Sequence, residues 1–256
     1  MVRRSLAYAV LAFCTSGTVS WEAGAEPRAT IELFTSQGCS SCPAADKLLA
    51  ELAADPTLVP ISVPIDYWDY LGWKDTLANP HNTARQRAYA QVRGDEKVYT
   101  PQVVVNGAVH VLGSDKAAIE HAISKSRGKN GAMTVAPVEL TVADEQISVA
   151  VPDAPAAVAR QGSDAAEANA EVWLFGLAKG IKIAIARGEN KGQEITYHNV
   201  LRRWIKLGEW SGKAASWSIA RHKLEVDGVD TAVVVLQRGS EQKPRAVLGA
   251  ALVALK

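Results

Sequence analysis

The sequence predicts an α/β segment followed by an all-β segment. Three observations carry this reading. In the first half, apolar residues recur at strand and helix spacing in the order β-α-β-α-β-β-α. From Met133 onward the pattern becomes short alternating runs, as in antiparallel strands. Between the two, Ser126–Gly131 (SRGKNG) has the small, polar composition of a linker.

Each element has its own reason. Ala29–Phe34 is apolar and β-branched and reads as a strand. A polar loop, Thr35–Cys42, contains Gly38, and Pro43–Leu52 then places Ala45, Leu48, Leu49 and Leu52 at helical spacing. Leu58–Ile65 reads as a second strand, made irregular by Pro60 and Pro64. Residues 66–80 form an aromatic-rich loop, and Thr83–Val92 is a helix with Asn82 as its cap. Asn106-Gly107 between Gln102–Val105 and Ala108–Leu112 signals a hairpin. Ser114 caps a last helix with Ile119, Ala122 and Ile123 on one face. The second half offers strands at Val135–Val142, Gln146–Val151, Val172–Leu177, Ile181–Ala186, Ser216–Val226, Thr231–Leu236 and Ala246–Leu252. Pro152–Ala170 is rich in Ala, Pro and polar residues and reads as a long flexible loop.

A chain of 256 residues suits one large or two ordinary domains. Its 48% hydrophobic and 21% charged content excludes a mostly disordered, collagen-like or polytopic membrane protein. The net charge is +1 with no basic stripe, which disfavours nucleic acid as a partner. Arg3 and Arg4, the apolar run Leu6–Cys14 and the small residues Ala23-Gly24-Ala25 have the layout of a secretory signal peptide. The expected division is therefore residues 1–25 as a cleaved signal, 26–130 as the α/β domain and 131–256 as the β domain. A periplasmic or secreted location follows, with no membrane association after cleavage. Cleavage removes Cys14 and leaves Cys39 and Cys42 in an oxidising compartment, where close cysteines can pair.

Cys39-Ser40-Ser41-Cys42 lies where a strand turns into a helix. A thiolate is the attacking species in disulfide exchange, and a helix N-terminus stabilises negative charge. Cys39 is the expected nucleophile and Cys42, in the first helical turn, the resolving thiol. The same spacing also occurs in static bridges and in half zinc sites. A zinc site needs further ligands, and His81, His110, His121, His198 and His222 are scattered; no metal or other cofactor is expected. Tyr99-Thr100-Pro101 opens the later hairpin strand. A proline opposite a C-x-x-C loop is a feature of the thioredoxin fold, where it is cis and shapes the substrate site together with the residue before it. A trans proline at a strand start is the plain alternative.

Several strings carry a family resemblance: ELFTSQGCSSCPAADKLL, DYWDYLGWKD, YTPQVVVNG with HVLGS, and GENKGQEITYHNVLR at Gly188–Arg202. Together they resemble a secreted thioredoxin-like family of unknown function, domain of unknown function 1223. The resemblance implies a thioredoxin-like N-terminal domain and an envelope location, but no settled substrate. The expected fold is thus α/β plus all-β, a thioredoxin-like domain followed by an antiparallel β-sandwich domain. That family has a histidine shortly before the DYWDY run, where this chain has Pro64.

If the first two strands are parallel, the dithiol and the DYWDY loop share one sheet edge. Asp66, Tyr67, Trp68, Asp69, Tyr70 and Trp73 then line a cleft, as substrate contacts or as a cover for the sheet end. Thr100 and Pro101 join Asp66, Tyr67, Trp68 and Trp73 as candidate substrate-binding residues. Glu32 sits inside an apolar strand, where a carboxylate must be paired or protonated. Its options are a proton role toward Cys42 or pairing with Arg85 or Arg87. Tyr197-His198-Asn199 and Trp204, Trp210 and Trp217 offer a recognition surface or simple packing. The expected activity is thiol–disulfide exchange on envelope proteins or small thiols, with a redox partner to recycle the dithiol. The alternatives are a non-catalytic binding module with a structural disulfide, and a copper handler using soft thiolates.

Overall fold

β1 (Ala29–Thr35) and β2 (Leu58–Pro64) are buried at every position, so both faces of the sheet they begin must be covered. In this computed structural model, which describes residues 27–128, 133, 138–155, 169–226 and 228–255, they pair in parallel. The expected signal peptide lies outside the described residues, as do half of the expected linker and most of the 152–170 loop. α1 (Cys42–Leu52) and α3 (Lys116–Ser126) cover one face, where Ile31 and Leu33 meet Leu48, Leu49, Ile119 and Ile123. α2 (Pro80–Arg93) covers the other, with Tyr89 packed among Phe34, Ile61 and Val63. Its cap is Asn79, not Asn82, and Pro80 opens it, where a missing N–H costs little. β3 (Gln102–Val105) runs antiparallel to β1, and β4 (Val109–Leu112) pairs with β3. Asn106 and Gly107 turn that hairpin with positive φ, as a tight two-residue turn requires.

The remaining strands are β5 (Glu139–Ala143), β6 (Gln146–Val151), β7 (Ala170–Ala184), β8 (Glu194–Trp210), β9 (Ala215–Ala220), β10 (Thr231–Ser240) and β11 (Lys243–Ala254). They do not form a separate domain fold. β8 pairs in parallel with β2, and one eight-stranded sheet results, in the order β11-β10-β7-β8-β2-β1-β3-β4. A three-stranded sheet, β5-β6-β9, packs on it through Val149 and Val151 against Val172, Val234 and Leu248. This corrects the expected fold class. The chain is mostly β, with three helices among the described residues, and not a thioredoxin-like α/β domain followed by a β-sandwich. Periodicity marks strands but not their partners, and the deciding pair joins residues far apart in sequence.

The β2–β8 junction is a single ladder pair, Ser62 with Val200. Pro60 and Pro64 have no N–H to offer there. Asn199 of β8, at φ 49°, adds a second link by donating its side-chain Nδ2 to the Pro60 carbonyl at 3.0 Å.

The sheet also curls. β11 reaches the β3–β4 turn, where the Val247 N–H donates to the Asn106 carbonyl at 2.9 Å. Gly107, at φ 64°, lies so close to the Arg245 carbonyl that any side chain there collides. Inside the curl Glu32 accepts from Arg85 Nε at 2.5 Å and from Nη2 at 2.8 Å. The Tyr89 hydroxyl donates to the same carboxylate at 2.7 Å, and Gln237 of β10 accepts from Arg85 at 2.9 Å. Burial works against the Arg85 charge, but the Glu32 carboxylate and the Tyr89 hydroxyl together more than offset it.

Removing one member of such a pair strands the other in a dry core. Arg85→Met is expected to cost roughly 3–5 kcal/mol in urea denaturation. The double variant Glu32→Leu/Arg85→Met should recover much of that loss, because no charge is then left unpaired.

Candidate functional site

The site forms where β1 ends. Thr35 and Ser36 leave the sheet, and the chain turns through Gln37 and Gly38 into the dithiol. The Cys39 N–H donates to the Ser36 carbonyl at 3.2 Å, and the Cys42 N–H to the Cys39 carbonyl at 3.1 Å. Cys39 and Cys42 are joined in a disulfide at the N-terminus of α1. Pro43 follows at a position where the helix has no use for an N–H. Ser40 and Ser41 are exposed, but Cys39 is only 1% exposed and Cys42 is fully buried.

Asp46 lies one helical turn beyond Cys42, and residues at that spacing are neighbours on a helix face. The face points inward, so Asp46 is buried with Ala45, Leu48 and Leu49. One carboxyl oxygen accepts from Thr35 Oγ1 at 3.1 Å; the other has no partner. Burial, with a smaller contribution from Asp75, pushes the acid up to about 8. Asp46 is therefore largely protonated at neutral pH. The Tyr197 hydroxyl, from β8, is also buried without a partner. Burial raises its pKa, and the Asp46 and Asp75 charges raise it further.

The aromatic loop closes one side. Asp75 is buried and accepts from the Gln37 N–H at 2.8 Å and from the Leu77 N–H at 2.8 Å. Burial still raises its pKa against those bonds. Trp73 donates its indole N–H to Gln37 Oε1 at 2.8 Å, and Trp68 donates to Thr100 Oγ1 at 2.7 Å. The Thr100–Pro101 peptide is cis. Tyr70 stacks on Trp68 at 6.3 Å and is the most exposed large side chain of this rim.

The β7–β8 turn covers the dithiol from the other side. Asn190 is buried, and its Nδ2 donates to both the Gln37 and the Cys39 carbonyls, each at 2.9 Å. The Ser40 N–H donates to the Glu189 carboxylate at 3.1 Å. Gly188, at φ 78°, sits against Trp73, where an added Cβ would come within 3.3 Å of the Trp73 Cβ.

The structure thus brings together Cys39, Cys42, Trp68, Trp73, Thr100 and the adjoining Pro101. It places the other candidates elsewhere. Asp66 accepts from Thr83 Oγ1 at 2.6 Å at the start of α2, whereas Tyr67 packs on the α2-side core with its hydroxyl near Thr100, beside the site. Glu32 points to that same side, opposite α1, where Arg85 and Tyr89 occupy its carboxylate. Arg85, not Arg87, is its partner. The sequence reading missed Asp46, Asp75, Glu189 and Asn190, and offered Tyr197 only as part of a recognition surface or as packing. Only Asp46 left a signal, as an acid on the apolar stripe of its helix. Among the described residues no three His, Cys, Asp or Glu side chains converge as metal ligands would.

The family described as Protein of unknown function (DUF1223) matches residues 30–237, which include every residue of this site. The chain belongs to that family. The DUF1223 chain is similar to the crystal structure of a protein from Agrobacterium tumefaciens over 89% of its own length and 94% of the other's. The two share 26% identity, with a TM-score of 0.74. HBP35 of Porphyromonas gingivalis is similar in fold, at 13% identity and a TM-score of 0.55, over 90% of this chain and 76% of that one. No curated protein matches this DUF1223 chain. The first likeness spans both halves, as the continuous sheet does.

Asp46 makes stability depend on pH in a definite direction. Its acid is raised from the usual 3.8 to about 8, so the folded chain holds a proton that the unfolded chain releases. That contribution is complete at low pH and is lost as pH rises toward 8. The slope is at most about 1.4 kcal/mol per pH unit. Asp46→Asn removes the slope. Urea denaturation across this window should show the variant gaining on the wild-type protein as pH rises.

Proposed function

We propose that this is an exported protein, periplasmic or secreted, whose Cys39–Cys42 pair exchanges with thiols or disulfides. The observation that carries the reading is Asp46. A static bridge has no use for a buried acid with an unpaired oxygen one turn from its inner sulfur. An exchanging dithiol does, because each cycle moves a proton onto or off a sulfur that water does not reach. The export reading is supported by the signal-like N-terminal sequence and by a disulfide, which oxidising compartments maintain.

The chemistry balances as ordinary exchange. A partner thiolate attacks Cys39 Sγ, forms a mixed disulfide and expels the Cys42 thiolate. Cys42 takes the Asp46 proton. A second partner thiolate then attacks the partner's own sulfur and releases the Cys39 thiolate. The partner leaves as a disulfide, two electrons have passed to the protein, and a further redox partner restores the starting state. The substrate is a protein or a small thiol. Thr100, Pro101, Trp68 and the exposed Tyr70 form the rim it meets.

One observation favours a second reading: both sulfurs are buried. A structural disulfide that braces the loop for a binding role would look the same in this respect.

The two readings separate on the reduction potential and on Cys39 alkylation against pH. An exchanging pair should lie between roughly −120 and −270 mV, with Cys39 reacting well below the ordinary thiol pKa of about 8.5. A potential below about −300 mV with unreactive sulfurs would eliminate the redox reading in favour of the brace.

A further inference from the structure

We propose that Asn190 is a positioning residue that latches the β7–β8 turn over the disulfide, so that exchange at Cys39–Cys42 proceeds only when the turn lifts. This rests on the redox reading. Thiol–disulfide exchange needs a thiolate to reach a sulfur, and the exposures of 1% for Cys39 and 0% for Cys42 leave no approach. Something must move. α1 is fixed by its apolar face in the core with α3 and β1. The turn is held at the dithiol by a few polar contacts, and Asn190 makes two of them, to the Gln37 and Cys39 carbonyls. Glu189 adds a third, from the Ser40 N–H. These bonds bracket Cys39 on both sides.

The contacts are also of the kind that can open. None is covalent, none is an ion pair, and the Glu189 bond is exposed. All three engage backbone groups of the Cys loop, which are present whether the sulfurs are bonded or reduced. The latch therefore governs the rate of exchange in both directions and leaves its equilibrium nearly unchanged. It also favours a partner whose own groups can take over the Gln37 and Cys39 carbonyls and the Ser40 N–H, as an extended polypeptide does and a small thiol does not.

The test compares wild type with Asn190→Ala and Asn190→Asp. Neither variant can donate to the two carbonyls. Lys191→Ala, in the same turn, serves as the control. Two quantities are read for each: the second-order rate of disulfide reduction by dithiothreitol, and the equilibrium constant with dithiothreitol. Both Asn190 variants should be reduced about tenfold faster or more, because two buried carbonyls lose their donor. Their equilibrium constants should stay within about threefold of wild type, and Lys191→Ala should match wild type in both. Hydrogen exchange supplies a second readout, in which Ser40 should lose protection while the core of α1 keeps it. If the Asn190 variants do not fold, Glu189→Ala carries the test, with an increase of about threefold expected. Unchanged rates would overturn the latch, as would rates that rise only in step with the equilibrium constant. A potential in the structural range defeats the redox reading instead, while faster reduction of the Asn190 variants would still establish the latch.

Discussion

A charge that cannot reach water must have a partner, and in this protein that requirement organises the core. Glu32 stands in the middle of β1, a strand buried on both faces. Its carboxylate is tolerable only because Arg85 and Tyr89 of α2 and Gln237 of β10 converge around it. That convergence ties an early strand to a late one across the curl of the sheet. A hydrophobic core alone does not dictate which strand faces which. A buried bidentate ion pair with further hydrogen bonds does, because any slip in register leaves a charge unpaired. The same sheet then carries β8 beside β2, and with it the hairpin that reaches the dithiol.

The site is consequently built from both halves of the chain. The first segment supplies the sulfurs, the buried acid of α1 and the aromatic loop. The second supplies Tyr197 beneath α1, and Glu189 and Asn190 above it. The β7–β8 hairpin does this with strands of 15 and 17 residues, whose turn is hydrogen-bonded to the dithiol loop. Its reach depends on the β2–β8 junction, which has little ladder to hold it. The Asn199 side chain adds a hydrogen bond across it, to the Pro60 carbonyl.

Much of this was legible in the sequence where the cause is local. The dithiol at a helix start, the Asn106-Gly107 turn and the aromatic rim each follow from a few adjacent residues. β8 was not legible, and no strand was predicted across 194–210. Bulges at Val172/Trp173 and Gly176/Leu177 shift the register, so burial along β8 does not alternate cleanly. Arg202, Arg203 and Lys206 interrupt its apolar positions as well. The expected strands Val172–Leu177 and Ile181–Ala186 are one continuous strand for a related reason: Ala178, Lys179 and Gly180 look like a break, and the partner strand carries the chain through them. Ser216–Val226 ends early, at Ala220, in a short 3-10 turn. The buried acid was sought at Glu32, which has the polarity but faces α2. It stands at Asp46, where helical spacing from Cys42 sets the geometry and only the tertiary fold sets the depth.

Burial does two opposing things to this site. It withholds the sulfurs from any partner, which by itself describes an inert bridge. It also removes water from Asp46, and that desolvation lifts the acid to about 8, where it can exchange a proton near neutral pH. The two effects share a source, because the hairpin that covers Cys39 also carries Tyr197 into the space beside Asp46. An open site would have accessible sulfurs and an ordinary, ionised aspartate. A permanently closed one would have a tuned acid and no substrate. In the redox reading proposed above, a cover held by side-chain amide and carboxylate bonds to backbone lies between these limits: it keeps the acid dry at rest and is the part that a partner must displace.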